Sequence, residues 1–291
     1  MDQEKRARLE MVVSMAIFGT LAPFVRRIAL PSAELALYRA VLAAALVGGY
    51  LLLKKEPFDR KGLGKELVLL LLSGAAMAVN WILLFQAYNY TTVSVATLSY
   101  YFAPVIVTVV CPVLFHEKMT RRQVLCFVMS TLGLVLIVGT GGLSGNGTDL
   151  TGILFGLGAA VFYATVILLN KFIRQVAGLQ RTLLQFLAAI AVLIPYVACT
   201  GGTHLSALDG TGWVCLLIVG LVHTGITYCL YFSSLKELPG QAAAILSYID
   251  PLVAVIVSVL VLGEGITAAQ VLGGAMVLGF AFWNETGPEH S

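Results

Sequence analysis

The sequence predicts an all-α integral membrane protein with ten transmembrane helices, arranged as two inverted five-helix repeats. Composition is the first reason. Of the 291 residues, 59% are hydrophobic and only 11% are charged, and the mean hydropathy is +0.92, whereas soluble domains carry roughly a quarter charged residues. The second reason is a series of apolar runs of about 20 residues, each long enough to cross a ~30 Å hydrocarbon core as a helix.

The third reason is an internal repeat in which five residues recur at a constant offset of 147 positions. They are Tyr101, Pro104, Glu117, Thr120 and Gln123 in the first copy, and Tyr248, Pro251, Glu264, Thr267 and Gln270 in the second. The chain therefore divides into a first repeat at 1–140, a linker loop at 141–149, a second repeat at 150–284 and a C-terminal tail at 285–291. Because five helices is an odd number, the second repeat must start on the opposite side of the membrane.

The apolar runs place the ten helices in order. The first repeat holds 9–28, 33–53, 66–88, 92–115 and 122–140, and the second holds 150–170, 181–200, 211–232, 241–262 and 267–284. We expect Glu34 to cap helix 2, and helices 5 and 10 begin at T-x-x-Q motifs, which are typical of capping boxes. The runs lack the alternation of β-barrel strands. The loops are too short to form a catalytic or nucleic-acid-binding domain.

Basic residues predict the orientation, because Lys and Arg in short loops favour the cytoplasmic side. With the N-terminus inside, 15 of the 18 basic residues fall on that side, and Arg26, Arg27 and Arg39 do not. Helix 1 has basic residues on both flanks, which is typical of a signal anchor. The sequence therefore predicts cytoplasmic N- and C-termini in a multi-pass protein of the cell membrane, inner or plasma. The net charge of +3 reflects this topology and does not predict a nucleic-acid partner.

All five cysteines lie inside predicted helices and form no C-x-x-C pair. They are Cys111, Cys126, Cys199, Cys215 and Cys229. Buried cysteines of this kind are usually small apolar packing residues. We expect no catalytic residue, no metal site and no cofactor.

Glu117 and Glu264 come just before the two T-x-x-Q motifs, at opposite faces of the membrane in the inverted arrangement. Each of these carboxylates either orients its turn or binds a neighbouring helix terminus, or else gates the pathway or carries protons. His116 does not create a metalloprotease motif, because Thr120 stands where H-E-x-x-H requires its second histidine.

These features resemble the drug/metabolite transporter superfamily, and within it the EamA-type transporters. The residues that carry the resemblance are Pro104…Glu117-Lys-Met-Thr120 and Pro251…Gly263-Glu264-Gly-Ile-Thr267, with Ala22-Pro23 and Tyr38-Arg39 near the N-terminus. The resemblance extends over residues 9–284. It implies a ten-helix exporter or carrier of small metabolites, with a central cavity lined chiefly by helices 1, 3, 4, 6, 8 and 9.

Asp250 and Arg39 are the two charged residues that lie firmly inside the membrane in the predicted helices, where a central charge costs ~2.5–3.5 kcal/mol on insertion scales. Asp250 directly precedes Pro251, whose missing N–H frees a backbone carbonyl. We expect Asp250 to bind a substrate amine or a coupling proton, and the alternative is a structural pair with Arg39. Arg39 itself binds a substrate carboxylate, pairs with another helix, or snorkels to a lipid phosphate.

The other candidates for the cavity are polar or aromatic residues of the helices named above. They are Phe18, Asn80, Trp81, Tyr101, Tyr163, His223, Tyr228 and Tyr248. Their polar groups either face a solute or form hydrogen bonds between helices, and His223 is either pH-responsive or a packing residue. Aromatic residues at helix ends are typical of interfacial belts. They are Tyr50, Tyr88, Tyr90, Tyr196, Trp213 and Trp283.

The expected function is secondary transport of a small polar metabolite, an amino acid or related amine, by alternating access between the repeats. Export and exchange are the expected directions, with or without a coupling proton, and the protein is a monomer or a homodimer. The partners are a small-molecule solute and the lipid bilayer. The alternatives are an organic-cation or drug efflux pump, a nucleotide-sugar carrier, and an intramembrane enzyme or scaffold. The carrier would need more basic residues than Arg39, and the enzyme would need a catalytic constellation.

Overall fold

The computed structural model describes residues 3–54, 60–115, 121–143, 147–173, 175–176, 178–238, 246–247 and 249–285, and every regular element in these ranges is helical. The α-helices are α1 (Gln3–Gly19), α2 (Leu21–Val25), α3 (Ser32–Lys54), α4 (Arg60–Tyr90), α5 (Val93–Tyr100), α6 (Ala103–Phe115), α7 (Arg121–Leu143), α8 (Gly147–Phe172), α9 (Gly178–Cys199), α10 (Gly210–Leu217), α11 (Thr227–Glu237), α12 (Ile249–Leu260) and α13 (Ala268–Glu285). A 3-10 turn (Leu205–Ala207) precedes α10, and a π-helical segment (Ile218–Ile226) joins α10 to α11.

Six stretches of the described chain are long and apolar enough to cross a membrane. They are Lys5–Val25, Ser32–Lys54, Glu66–Tyr90, Leu150–Asn170, Gly178–Cys199 and Gly210–Tyr231. They confirm the predicted helices 1, 2, 3, 6, 7 and 8 as membrane-length apolar helices. Four shorter apolar stretches lie where helices 4, 5, 9 and 10 are predicted. These are Val93–Val107, Val124–Gly133, Ile249–Leu260 and Ala268–Phe280.

Two of the helical stretches are interrupted. Between α1 and α2 the chain turns at Thr20, whose hydroxyl donates to the carbonyl of Ile17 at 2.8 Å. Between α5 and α6 it turns at Tyr101 and Phe102, and Pro104 follows in the first turn of α6. Proline is tolerated in a first turn because its missing N–H would have no intrahelical partner there. The second interruption therefore places Tyr101 at the C-terminal end of α5, outside α6.

The π-helical segment Ile218–Ile226 is stabilised by its own side chains. The hydroxyls of Thr224 and Thr227 donate to carbonyls five residues earlier, those of Val219 at 2.8 Å and Val222 at 2.7 Å. These bonds give the two carbonyls a side-chain donor within the segment. Short π-helical stretches are rare and are found frequently at functional sites.

The main apolar core lies between α2, α3, α4, α9 and α10. Outside it, α4 packs along α8, α7 packs along α13, and α1 packs against α11 and α12. Glycine makes some of these approaches close. A Cβ on Gly19 would lie 2.6 Å from the carbonyl oxygen of Asp250, so α1 and α12 touch through their backbones. Gly19 thus permits the close contact between the backbones of these two helices.

Glu264 lies in the loop between α12 and α13 and binds two other segments of the chain. Its carboxylate forms an ion pair with Arg26 and accepts a hydrogen bond from the backbone amide of Val93, the first residue of α5, at 2.8 Å. Arg26 in turn donates to the carbonyls of Tyr88 and Thr91 at 3.1 and 3.0 Å. The expectation that Glu264 binds a neighbouring helix terminus is confirmed, and its repeat partner Glu117 lies outside the described residues.

The capping box at the start of α13 is confirmed. The amide of Thr267 donates to the side-chain oxygen of Gln270 at 2.9 Å, and the amide of Gln270 donates to the hydroxyl of Thr267 at 3.2 Å. The cap expected from Glu34 is wrong. Its carboxylate, 1% exposed, accepts a hydrogen bond from the amide of His204 at 2.7 Å and lies 3.0 Å from Nδ1 of the same residue. Glu34 therefore anchors the loop between α9 and α10.

Candidate functional site

A cavity of about 100 Å³ lies where α1, α2, α3, α4, α5, α8, α11 and α12 meet. Eight of the ten candidate residues from the sequence line it. They are Phe18, Arg39, Asn80, Trp81, Tyr101, Tyr163, Tyr228 and Asp250. His223 is not among the lining residues, and Tyr248 lies outside the described ranges of the chain. The cavity therefore brings together residues separated by more than 200 positions in the sequence.

The Asp250 carboxylate is held by a hydroxyl. The phenol of Tyr101 donates to Oδ2 at 2.5 Å, and in the described ranges no basic group lies within ion-pair distance of either oxygen. Oδ1 receives no hydrogen bond from the described residues. The alternative in which Asp250 pairs with Arg39 is therefore wrong for this conformation. Asp250 keeps one carboxylate oxygen for a further donor.

Arg39 is deeply buried, with 3% of its surface exposed. Its Nε donates to the hydroxyl of Thr224 at 2.5 Å, and its guanidinium carbon lies 4.8 Å from the ring centre of Trp81 and 5.5 Å from that of Phe85. These are cation–π distances. Snorkelling to a lipid phosphate is therefore wrong, because α4 and the π-helical segment enclose the side chain.

Aromatic rings form most of the remaining wall. Tyr100 stacks on Tyr163 at 5.1 Å between ring centres and meets Tyr101 edge-on at 5.6 Å. On the other side, Tyr228 is in edge contact with Phe18 at 5.3 Å. Such rings attract a cation through their faces and present hydroxyl groups for hydrogen bonds. The wall therefore offers ring faces and hydroxyl groups to a small bound solute.

Asn80 adds an amide to this wall. It is 3% exposed, and its Nδ2 donates to the carbonyl of Ala159 on α8 at 2.7 Å. This bond fixes the amide orientation and leaves the Oδ1 atom without a donor among the described residues. Asn80 thus both joins α4 to α8 and offers an acceptor at the cavity.

His223 has a packing position beside the cavity. It is 2% exposed, its Nε2 lies 3.1 Å from the hydroxyl of Thr20, and its Nδ1 lies 3.4 Å from the carbonyl oxygen of Ile218. Its ring packs on Phe24 at 5.0 Å. The structure thus places His223 in a contact between α2 and the π-helical segment.

Sequence reasoning missed several lining residues. Tyr88 was expected in the interfacial belt, yet it is only 7% exposed and lines the cavity, so that expectation is wrong. Thr97 also lines it and is 4% exposed. Helical spacing could have predicted Thr97 as a lining residue. Thr97, Tyr100 and Tyr101 stand at positions i, i+3 and i+4 and therefore share one helix face.

No group of three or more His, Cys, Asp or Glu side chains in the described ranges is placed to hold a metal ion. The described lining residues offer one carboxylate, one guanidinium, hydroxyls, an amide and aromatic faces. Such groups bind and orient a solute by charge, hydrogen bonds and cation–π contacts.

Comparison with known proteins gives a consistent result. The model of the EamA-like transporter family matches residues 7–139 and again residues 150–284. A Bacillus subtilis protein named "Uncharacterized transporter YxxF" is 31% identical over 280 residues, covering 94% of this chain and 88% of that protein. A Salmonella typhimurium protein named "Probable amino-acid metabolite efflux pump" is 23% identical over 182 residues, 60% of each chain. One crystal structure superposes with a TM-score of 0.64 at 16% identity over 96% of both chains, which shows similarity of fold.

Proposed function

The chain belongs to the EamA-like transporter family, and we propose that it is a secondary transporter that carries a small amino acid or related amine across the membrane. It is a multi-pass membrane protein whose partners are a small-molecule solute and the bilayer. The proposed direction is export or exchange, and the proposed location is the inner or plasma membrane. The Salmonella relative is named for amino-acid metabolite efflux, which supports this choice of substrate.

The observation that carries the proposal is the Asp250 carboxylate in a wall of aromatic rings. Tyr101 binds Oδ2, and Oδ1 receives no hydrogen bond from the described residues. A substrate ammonium placed there gains a charge-assisted hydrogen bond, together with attraction to the faces of the surrounding rings. A coupling proton would use the same oxygen, which gives exchange of amine for proton a simple physical basis.

Alternating access between two inverted five-helix repeats is the proposed mechanism. The first repeat, 1–140, supplies Arg39 and Tyr101 to the cavity, and the second, 150–284, supplies Tyr163, Tyr228 and Asp250. A site shared between the halves of an inverted repeat can face either side of the membrane when one half rocks against the other. In this proposal all ten predicted helices cross the membrane, both termini are cytoplasmic, and the unit is a monomer or a homodimer.

An organic-cation or drug efflux pump is the second candidate, because aromatic walls with one carboxylate also attract such cations. The cavity volume favours the smaller solute. At about 100 Å³ the space is well below the ~300–1,000 Å³ typical of sites for drug-sized ligands, and it equals the room of several water molecules. A compact amino acid or short amine is the better match in size.

Solute counterflow tests the proposal. Purified protein in liposomes preloaded with each candidate solute should accumulate the same labelled solute from outside. We expect this for at least one amino acid or short amine, and we expect Asp250→Asn to lower the rate at least ~10-fold, the loss expected for a charge-assisted bond.

The matched control is Asp209→Asn. Asp209 caps α10 by accepting from the amide of Gly212 at 2.6 Å, and asparagine caps helices equally well, so transport should stay unchanged. Counterflow that survives Asp250→Asn at the wild-type rate would contradict the assigned role of this carboxylate. A protein that exchanges no amine or amino acid at all would contradict the proposed function.

A further inference from the structure

Arg39 is a buried cation without a carboxylate partner among the described residues. It is 3% exposed, and among the described residues its guanidinium donates a hydrogen bond only from Nε to Thr224. Neither Nη group meets an acceptor at hydrogen-bonding distance in the described chain. Burying a charge is costly unless it is paired and hydrogen-bonded, and ionisable groups inside a membrane mark functional sites by default.

The surroundings of Arg39 hold its guanidinium in one orientation. Thr224 binds the Nε edge, and the π-helical segment supplies that hydroxyl at the required position. Trp81 and Phe85 face the guanidinium from α4 at cation–π distances. Arg39 lines the cavity, and its two Nη groups have no hydrogen-bond acceptor among the described residues. A planar guanidinium presented in this way matches the two oxygens of a carboxylate.

We propose that Arg39 binds a carboxylate group of the transported solute and so determines the substrate class. This inference rests on the proposed function and makes it narrower. Arg39 and Asp250 are the only charged residues in the described lining. The solute bears a carboxylate for Arg39 and an ammonium for Asp250, which makes it a zwitterionic amino acid and not a simple amine.

Tyrosine side chains line the same cavity as the two charges. Tyr88, Tyr101 and Tyr228 are lining residues, and Asp250 takes its hydrogen bond from Tyr101. Arg39 and Asp250 form no ion pair in the described part of the chain. A zwitterion placed among these phenols compensates both charges at once, whereas an organic cation would leave Arg39 uncompensated and add repulsion.

The first test uses the wild-type protein alone. Each common L-amino acid is compared with its C-terminal amide, which keeps the ammonium and the side chain but replaces the carboxylate by a neutral group. Apparent dissociation constants are measured by ligand-induced thermal stabilisation at mildly acidic pH, where both forms carry an ammonium. We expect the best-bound amino acid to bind about 10- to 100-fold more tightly than its amide, the range expected for a charge-assisted bidentate pair.

The second test uses variants. Arg39→Gln should abolish the preference for acid over amide while leaving the affinity for the amide within about threefold of wild type. Thr224→Val removes the hydroxyl that binds Nε of Arg39, and Thr224 is not among the described lining residues of the cavity. It should reduce the preference with the same retention of amide binding. Arg27→Gln is the matched control, since Arg27 is exposed and should keep the full preference.

The outcomes separate this inference from the function on which it rests. If the wild-type protein binds the amide and the amino acid with equal affinity, the role of Arg39 is overturned, but the proposed transport of an amine is not contradicted. Equal loss of acid and amide binding in a folded Arg39→Gln protein also overturns it, because a purely structural residue behaves in that way. Tight binding of des-amino carboxylic acids would support Arg39 and contradict the amine half of the proposed function. If none of the tested compounds binds, both proposals are contradicted.

Discussion

Asp250 and Arg39 are each held by a neutral side chain, Asp250 by the hydroxyl of Tyr101 and Arg39 by that of Thr224. A hydroxyl partner orients an ion but does not neutralise its charge. In a buried ion pair, by contrast, loss of one member leaves the charge of the other uncompensated. At the residue scale, the proposed solute would bind either ion without first breaking an internal salt bridge.

Tyr101→Phe removes the hydroxyl that orients Asp250. We expect the apparent dissociation constant for the transported amine to rise about 3- to 30-fold in thermal-stabilisation binding curves, because one hydrogen bond to a charged group is lost while the ring remains. The protein should still fold, since the phenylalanine ring fills the same space. Tyr196→Phe on α9, an exposed tyrosine, is the control, and equal effects of the two substitutions would contradict the orienting role of Tyr101.

At the scale of helices, the close packing of the π-helical segment on α3 positions Thr224. A Cβ on Gly220 would overlap the side chain of Leu42, and one on Gly225 would overlap that of Leu46. Arg39 lies one helical turn before Leu42 on α3, so the same contact that brings the two elements together brings Nε to the Thr224 hydroxyl. The glycines are therefore required for helix approach and, through it, for the position of the guanidinium.

Gly220→Ala should destabilise the protein by about 1–3 kcal/mol, the usual cost of overpacking a tight contact. Thermal unfolding in detergent, read as the midpoint temperature, measures the effect. Gly49→Ala provides the control on the facing helix, because a Cβ there meets nothing within 4 Å and alanine has the better helix propensity. A Gly220→Ala protein as stable as Gly49→Ala would show that the contact with Leu42 is not close in solution.

Glu264→Gln should also destabilise the protein, by about 1–3 kcal/mol, because the amide of Val93 and the guanidinium of Arg26 lose a charged acceptor. A double-mutant cycle with Arg26→Gln measures the coupling between the pair. Glu10→Gln is the control for the same chemical change, since its bond to Arg6 is an exposed i,i+4 pair of little worth. Additive effects of the Glu264 and Arg26 substitutions would show that the ion pair contributes nothing to stability.

At the scale of the whole molecule, the cavity draws its wall from both family-matched segments, residues 7–139 and 150–284. In the proposed inverted arrangement, the loop after α2 and the loop between α9 and α10 lie outside the cell, while the end of α3 lies inside. A solute bound between the halves can then be released to either side. The topology is open to a direct measurement.

Single cysteines in a cysteine-free background should report this topology. Arg27→Cys and Thr203→Cys should react with a membrane-impermeant maleimide in intact cells, because both positions are exposed and are predicted to be outside. Lys54→Cys, exposed at the end of α3, should react only after the membrane is permeabilised. Labelling of all three in intact cells would exclude the proposed orientation.

Hydropathy predicted the helical class and the membrane-length stretches, and the rarity of charge inside the helices predicted Asp250 and Arg39 as cavity residues. Contacts with distant segments of the chain were not predictable in the same way. Tyr88 lies close to the end of α4 and was therefore expected at the interface, but the ion-paired Arg26 covers that end of α4. Glu34 likewise found its partner in a loop 170 positions away, which no local pattern indicates. Position along a helix can be read from the chain, whereas a neighbour from a distant segment cannot.

Glu264 and Arg26 link three loops, namely the loop after α2, the loop between α4 and α5, and the loop between α12 and α13. In the proposed transport cycle this link has a consequence for the speed of transport. These loops cannot move away from each other singly, because separating any of them strands a backbone amide at Val93 or the carbonyls of Tyr88 and Thr91 without partners. In the proposed alternating-access mechanism, opening at this end would break these bonds together. Opening should behave as an abrupt two-state event with a threshold, and the frequency of that event, more than the affinity of the cavity, would set the turnover rate.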